Sequence, residues 1–119
     1  MQTYQQKIGK FGEDLACDYL QNKGYQIIER NINVSHGEID IIARQGKFYV
    51  FIEVRTRATR SNKADETINF IKKKNLRKVV TGYVHTRKLD WRYLRIDLIA
   101  IDINRQSKIA NLKHYRDIL

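Results

Sequence analysis

Two runs rich in strand formers, Gly37 to Arg44 and Lys47 to Arg57, flank the dipeptide Gln45-Gly46, and this arrangement constrains the fold more than any other stretch of the chain. A two-residue turn at Gln45-Gly46 pairs the runs as a β-hairpin, and side chains then alternate between faces along each strand. One face carries Ile39, Ile41 and Ala43 opposite Phe48, Val50, Ile52 and Val54, a core surface. The other carries Glu38, Asp40 and Ile42 with Tyr49, Phe51, Glu53 and Arg55. Asp40 and Glu53 become diagonal neighbours, their β-carbons roughly 5–8 Å apart. Moving the turn to Gly46-Lys47 makes them direct partners on the same face. Both carboxylates sit in strands apolar enough to be covered on both sides, where an uncompensated charge is costly.

A hard divalent cation such as Mg²⁺ or Mn²⁺ takes oxygen ligands, keeps several waters and is commonly held by one or two carboxylates plus substrate phosphate. Asp40 and Glu53 are the candidate ligands, joined by the backbone carbonyl of Val54, which lies between the side chains of Glu53 and Arg55. The competing reading places Glu38, Asp40 and Glu53 in cross-strand ion pairs with Arg44, Lys47 or Arg55 on a solvated face.

Around the hairpin, apolar residues at Ile8, Phe11, Leu15, Ala16, Tyr19 and Leu20 recur at helical spacing, predicting a helix from Ile8 to Lys23 with Gly24 as its stop. On it Glu13 lies among Gly9, Gly12 and Ala16, small residues that let a helix approach a sheet closely, so its carboxylate can overhang the hairpin. The other reading is a first-turn glutamate that stabilises the helix N-terminus. A strand from Tyr25 to Arg30 and a turn around Asn33 to His36 precede the hairpin. A second helical pattern follows it, with Ile68, Ile71, Leu76, Val79, Val80 and Tyr83 on one face and Lys73, Lys74, Arg77 and Lys78 on the other. Lys72 falls at the inner face by spacing. Tyr93 to Asp102 reads as a long strand and Lys108 to Tyr115 as an edge strand; Tyr83, Trp91 and Tyr93 read as core aromatics in preference to an anchor patch for a partner. The order is α-β-β-β-α-β-β, a mixed sheet flanked by helices.

The length of 119 residues suits one domain, 1–119. With 23 Lys plus Arg against 13 Asp plus Glu the formal charge is +10. Such a field draws in polyanions and makes nucleic acid the leading partner, through Lys72, Lys73, Lys74, Arg77, Lys78 and Arg57. A solvated basic face without a ligand is the alternative. No run approaches the roughly 20 apolar residues that span a bilayer, and the start has no apolar signal core, so no membrane association and a cytoplasmic location are expected. Cys17 reads as a small buried side chain, and His36, His85 and His114 match no zinc spacing.

The segments Gly12-Glu13-Asp14-Leu15-Ala16, Gly24-Tyr25, Glu29-Arg30-Asn31, Gly37-Glu38-Ile39-Asp40-Ile41-Ile42-Ala43, Phe51-Ile52-Glu53-Val54-Arg55-Thr56-Arg57 and Arg95-Ile96-Asp97 resemble, in order and spacing, the YraN-like family of small predicted endonucleases, distantly related to archaeal Holliday-junction resolvases. The resemblance runs from about residue 8 to 115. It implies a restriction-endonuclease-like fold with a Mg²⁺ site, its roles falling on Asp40, Glu53 and Glu13, and DNA, branched DNA included, as substrate. A junction-cutting activity would favour a two-fold homodimer. One position departs from the pattern: where the family usually places lysine this chain has Arg55. Arginine stays charged and cannot serve as a base, but can clamp a phosphate or stabilise charge developing on it. Two functions therefore stand: a metal-dependent endonuclease, and a nuclease-fold DNA-binding module with weak or absent catalysis.

Overall fold

The structure, a computed structural model, describes residues 1–34, 37–58 and 73–119, the side chains of 73–75 excepted. Its elements are α1 (Tyr4–Asn22), β1 (Gln26–Val34), β2 (Gly37–Gln45), β3 (Phe48–Ala58), α2 (Lys73–Arg87), β4 (Leu94–Asn104) and β5 (Ile109–Tyr115), the order expected from the sequence. The strands form one five-stranded sheet in the order β1-β2-β3-β4-β5. Only β3 and β4 run parallel; the other neighbours are antiparallel. Parallel neighbours need a crossover, and α2 lies in the stretch that joins Ala58 to Leu94.

The helix α1 begins four residues earlier than its apolar spacing suggests, because Thr3 and Gln6 form a reciprocal capping box: Gln6 N–H donates to Thr3 Oγ1 (3.1 Å) and Thr3 N–H to Gln6 Oε1 (2.9 Å). Its end is a Schellman closure. Gly24 adopts φ +91°, its N–H donates to the Gln21 carbonyl (3.0 Å) and Tyr25 N–H donates to that of Leu20 (2.9 Å). Since Glu13 is thereby in the middle of the helix, it is not a first-turn residue, and that reading is set aside.

Each helix covers one face of the sheet. Under α1, Ala16, Cys17 and Leu20 pack with Tyr25, Ile41, Ala43, Val50, Ile52, Ile99 and Ile101. Under α2, Leu76, Val79, Val80, Tyr83 and Val84 pack with Ile39, Ile42 and Phe51. The approach of α1 is closest at Gly12, where a Cβ would lie 2.8 Å from the Cβ of Thr56 on β3. Gly9, by contrast, would meet nothing. Phe11, expected on the apolar face, is exposed, and so is Trp91 at 59%, leaving Tyr83 as the fully buried member of the three aromatics. Ile68 and Ile71 lie outside the described residues. No helix among the described residues is long and apolar enough to cross a membrane.

Candidate metal and phosphate site

The hairpin turn is Gly46-Lys47, since Gln45 pairs with Phe48 and Gly46 takes φ +59° at the first turn position. The turn is thus one residue further on than Gln45-Gly46. The pairs Gln45↔Phe48 to Ile41↔Ile52 form a continuous ladder that ends there, and the next step sets Asp40 across from Glu53. The two carboxylates are direct partners, the second of the two registers the sequence allows.

Where the ladder ends, the Asp40 side chain replaces the backbone: its Oδ2 accepts the Val54 N–H at 2.8 Å. The strand loses its alternation at the same point. Ile41 is buried under α1 and Ile39, two residues away, under α2, so Ile39 does not share a face with Ile41 as a regular strand requires. On the neighbouring strand Asn31, which falls between the pairs Arg30↔Ile41 and Ile32↔Ile39, takes φ +53°, a left-handed conformation that an asparagine tolerates. A local reversal of the pleat therefore sits at the candidate ligand.

Glu53 is 5% exposed and follows Phe51 on β3 by two residues. Burial first, then the charge of Glu53, pushes the Asp40 carboxyl up to about 8; a hydrogen bond with Glu53 and the charge of Glu13 add to the rise, and the Val54 N–H opposes it. Near neutral pH Asp40 holds a proton that a dication would displace. Glu13, its side chain 14% exposed, faces the pair from α1 but is also engaged by Arg30, whose Nη2 lies 3.3 Å from Glu13 and 2.7 Å from Asp14. Arg30 is a member of the site that sequence reasoning missed; its signal was the Glu13-Asp14 doublet one helix away. Among the described residues no three His, Cys, Asp or Glu are grouped to hold a metal. The donor set is two carboxylates, which suits a hard cation that completes its shell with water and phosphate oxygens. Burial and mutual repulsion are what such an ion relieves, so the residues present fit it.

Arg55 and Arg57 follow Glu53 at two-residue steps, both half-buried. Arg55 Nε is buried with no hydrogen-bond acceptor, while Arg57 stands opposite Asp102 in the β3–β4 register. On α2, Arg77 and Lys78 are exposed. Lys72 lies outside the described residues, and of Lys73 and Lys74 only the helical backbone is described.

A second polar cluster went unpredicted beyond its motif. Asp97, wholly buried on β4, accepts from Arg95 Nε (2.9 Å) and the Asp117 N–H (3.0 Å) at Oδ1, and at Oδ2 from Arg95 Nη2 (3.0 Å) and His114 Nε2 (2.7 Å). Arg95 Nη2 also donates to the Tyr25 hydroxyl (2.6 Å) and Nη1 to Gln45 Oε1 (3.1 Å), while His114 Nδ1 lies 3.1 Å from the Tyr19 hydroxyl. Burial pulls the Asp97 carboxyl upward, but His114, Arg95 and the Asp117 N–H outweigh it and hold it below the ordinary carboxylate value. With four donors Asp97 has no acceptor capacity left for a ligand. The cluster ties α1, Tyr25 between α1 and β1, the end of β2, β4, β5 and the residues after β5 together.

Residues 12–101 match the uncharacterised protein family UPF0102. A UPF0102 protein of Carboxydothermus hydrogenoformans is 40% identical over 114 residues, covering 95% of each chain. Another, of Thermodesulfovibrio yellowstonii, is 41% identical over 106 residues, covering 88% of this chain and 94% of its own. Among solved structures, Pyrococcus furiosus SfsA in complex with Ca²⁺ aligns with a TM-score of 0.38 at 12% identity, over 93% of this chain and 63% of that one, a likeness too weak to argue from. The chain belongs to the family UPF0102.

Proposed function

We propose that this UPF0102 protein is a divalent-cation-dependent endonuclease that hydrolyses DNA phosphodiesters, with Asp40 and Glu53 as the ligands of Mg²⁺ or Mn²⁺ and the Val54 carbonyl as a third donor. The observation that carries the reading is the buried pair itself: two carboxylates face each other where the β2–β3 ladder ends, and one of them keeps its proton near neutral pH. A structural ion pair does not need that arrangement, and a strained, charge-frustrated spot in an otherwise regular sheet is where function is expected. A bound dication would lower the pKa of its water, supplying the nucleophile, and neutralise charge on the phosphate.

The protein's own residues prepare that site. The Val54 N–H fixes the Asp40 carboxyl through Oδ2 beside Glu53. Asp40 gives up its proton on binding, so metal uptake releases a proton near neutral pH. Arg30 holds Glu13 beside the pair, and Glu13's charge favours a cation there without Glu13 being a ligand. An arginine is no base, so the part of Arg55 is to bind a phosphate of the substrate strand, and any proton taken from water must go elsewhere.

Arg55 is also the observation that favours a second reading, a nuclease-fold module that binds DNA without turnover. An assay on linear, nicked, flap and four-way-junction DNA with Mg²⁺ and with Mn²⁺ separates the two. Cleavage by the wild type that is lost in Asp40→Asn supports the enzyme; equal cleavage by both excludes this site. Cleavage gained only in Arg55→Lys supports the binding module, with lysine restoring the missing base.

A further inference from the structure

We propose that the groove where the first turns of α1 meet the end of β3 and the β4–β5 turn binds a backbone phosphate of a nucleic-acid strand, with Arg55 and Arg105 as its donors. This deepens the nuclease reading and rests on it for the identity of the strand. The groove has a volume of about 450 Å³, is lined by Tyr4, Gln5, Arg55, Thr56, Arg57 and Arg105 among others, and has no acidic side chain in its wall among the described residues.

Arg57 has Asp102 across the ladder, so its charge is answered in part from within the sheet. Arg55 and Arg105 have no carboxylate within ion-pair distance among the described residues. The buried Nε of Arg55 has no acceptor, and a buried donor without one calls for a ligand. Arg105 is held at the rim by the Tyr4 ring, whose centroid lies 5.0 Å from its guanidinium carbon, a contact that takes up none of its N–H donors in a carboxylate pair. Its turn is braced, because Asn104 Oδ1 accepts from the N–H groups of Gln106 (2.9 Å) and Ser107 (3.1 Å). A guanidinium fork matches a phosphate bidentately, and two forks brought to one groove repel each other until an anion joins them.

Position accounts for the use of such a site. Arg55 lies two residues beyond Glu53, roughly 7 Å along the strand, so a phosphate held on Arg55 neighbours one placed at the acidic pair. The groove then fixes the side from which the strand enters. Tyr4 and Arg105 fall outside residues 12–101, so this part of the site belongs to flanks that the family match does not reach.

The test is a titration of the metal-free protein with inorganic pyrophosphate in EDTA, followed by NMR of the arginine Nε–H groups, alongside DNA-binding isotherms at several salt concentrations. The inference predicts saturable shifts at Arg55 and Arg105. It also predicts that Arg105→Ala weakens DNA binding by about 3- to 10-fold and lowers the salt slope by about 1. Arg116→Ala, at the far end of β5, should change both far less. Shifts at Arg55 and Arg105 without cleavage of any DNA would leave the phosphate site standing and sink the nuclease reading. Asp40-dependent cleavage with wild-type binding by Arg105→Ala, or shifts spread evenly over exposed cations including Arg116, would overturn the phosphate site alone.

Discussion

Replacing Asp40 by asparagine should stabilise the metal-free protein, by an amount that grows with pH. The folded carboxyl is pushed from an ordinary 3.8 up to about 8. Between those values the native state keeps a proton that the unfolded chain has lost, so unfolding releases a proton and wild-type stability falls as pH rises, by about 1.4 kcal/mol per unit. At about pH 7 some three units have been crossed, a loss of about 4 kcal/mol against a total stability of about 5–15 kcal/mol. Asparagine keeps an acceptor for the Val54 N–H and has nothing to titrate. Urea unfolding of both proteins in EDTA, at unit steps from about pH 5 to about pH 8, should give an advantage for the variant of about 1–2 kcal/mol at the acid end that widens steadily as pH rises. Mg²⁺ should then narrow the gap by stabilising the wild type alone, by about 2.7 kcal/mol at one hundred times its dissociation constant. A difference that is flat across this range, or a variant less stable than wild type at the alkaline end, would refute the charge frustration on which the metal site is argued.

Asp97→Ala leaves the half-buried guanidinium of Arg95 without its carboxylate and should cost about 3 kcal/mol in chemical unfolding, more than any exposed ion pair of this protein. Because the Asp97 carboxyl is held below 3.8, its contribution is present above that pH and lost as pH falls through the lower folded value, so the advantage of wild type over Asp97→Asn in chemical unfolding should narrow as pH falls below 3.8. Gly12→Ala drives a methyl group into Thr56 and should destabilise by about 1–3 kcal/mol, with part of the loss recovered in the double variant Gly12→Ala/Thr56→Ala by thermal melting. Thr3→Ala removes the capping box and should cost about 1 kcal/mol, with fraying of α1 visible as faster amide exchange at Gln6.

Strand parity made the hairpin legible because two registers one turn residue apart keep Asp40 and Glu53 on the same side, so the acidic pair survived a misplaced turn. The edge position of β5 and the place of α2 in the element order followed from pattern for the same reason, that alternation and helical spacing report burial directly. What parity could not show was the reversal at Asp40. The isoleucines at 39 and 41 are chemically identical to a pattern, yet they fill opposite cores, and only the left-handed Asn31 on the adjacent strand exposes the break. The Asp97 cluster was hidden differently. Its members come from α1, the residue before β1, β2, β4, β5 and the residues beyond, and a charged residue two places from an aspartate on a strand reads as a surface pair until burial shows otherwise. The two clusters have the same ingredients and opposite outcomes: Asp97 receives four donors and is held ionised, whereas Asp40 receives one N–H and a second carboxylate and is held neutral. Saturation marks the first as part of the scaffold. The deficit of positive charge at the second is the feature from which a ligand is proposed there, and the sequence carried it only as far as two acidic residues sharing a face.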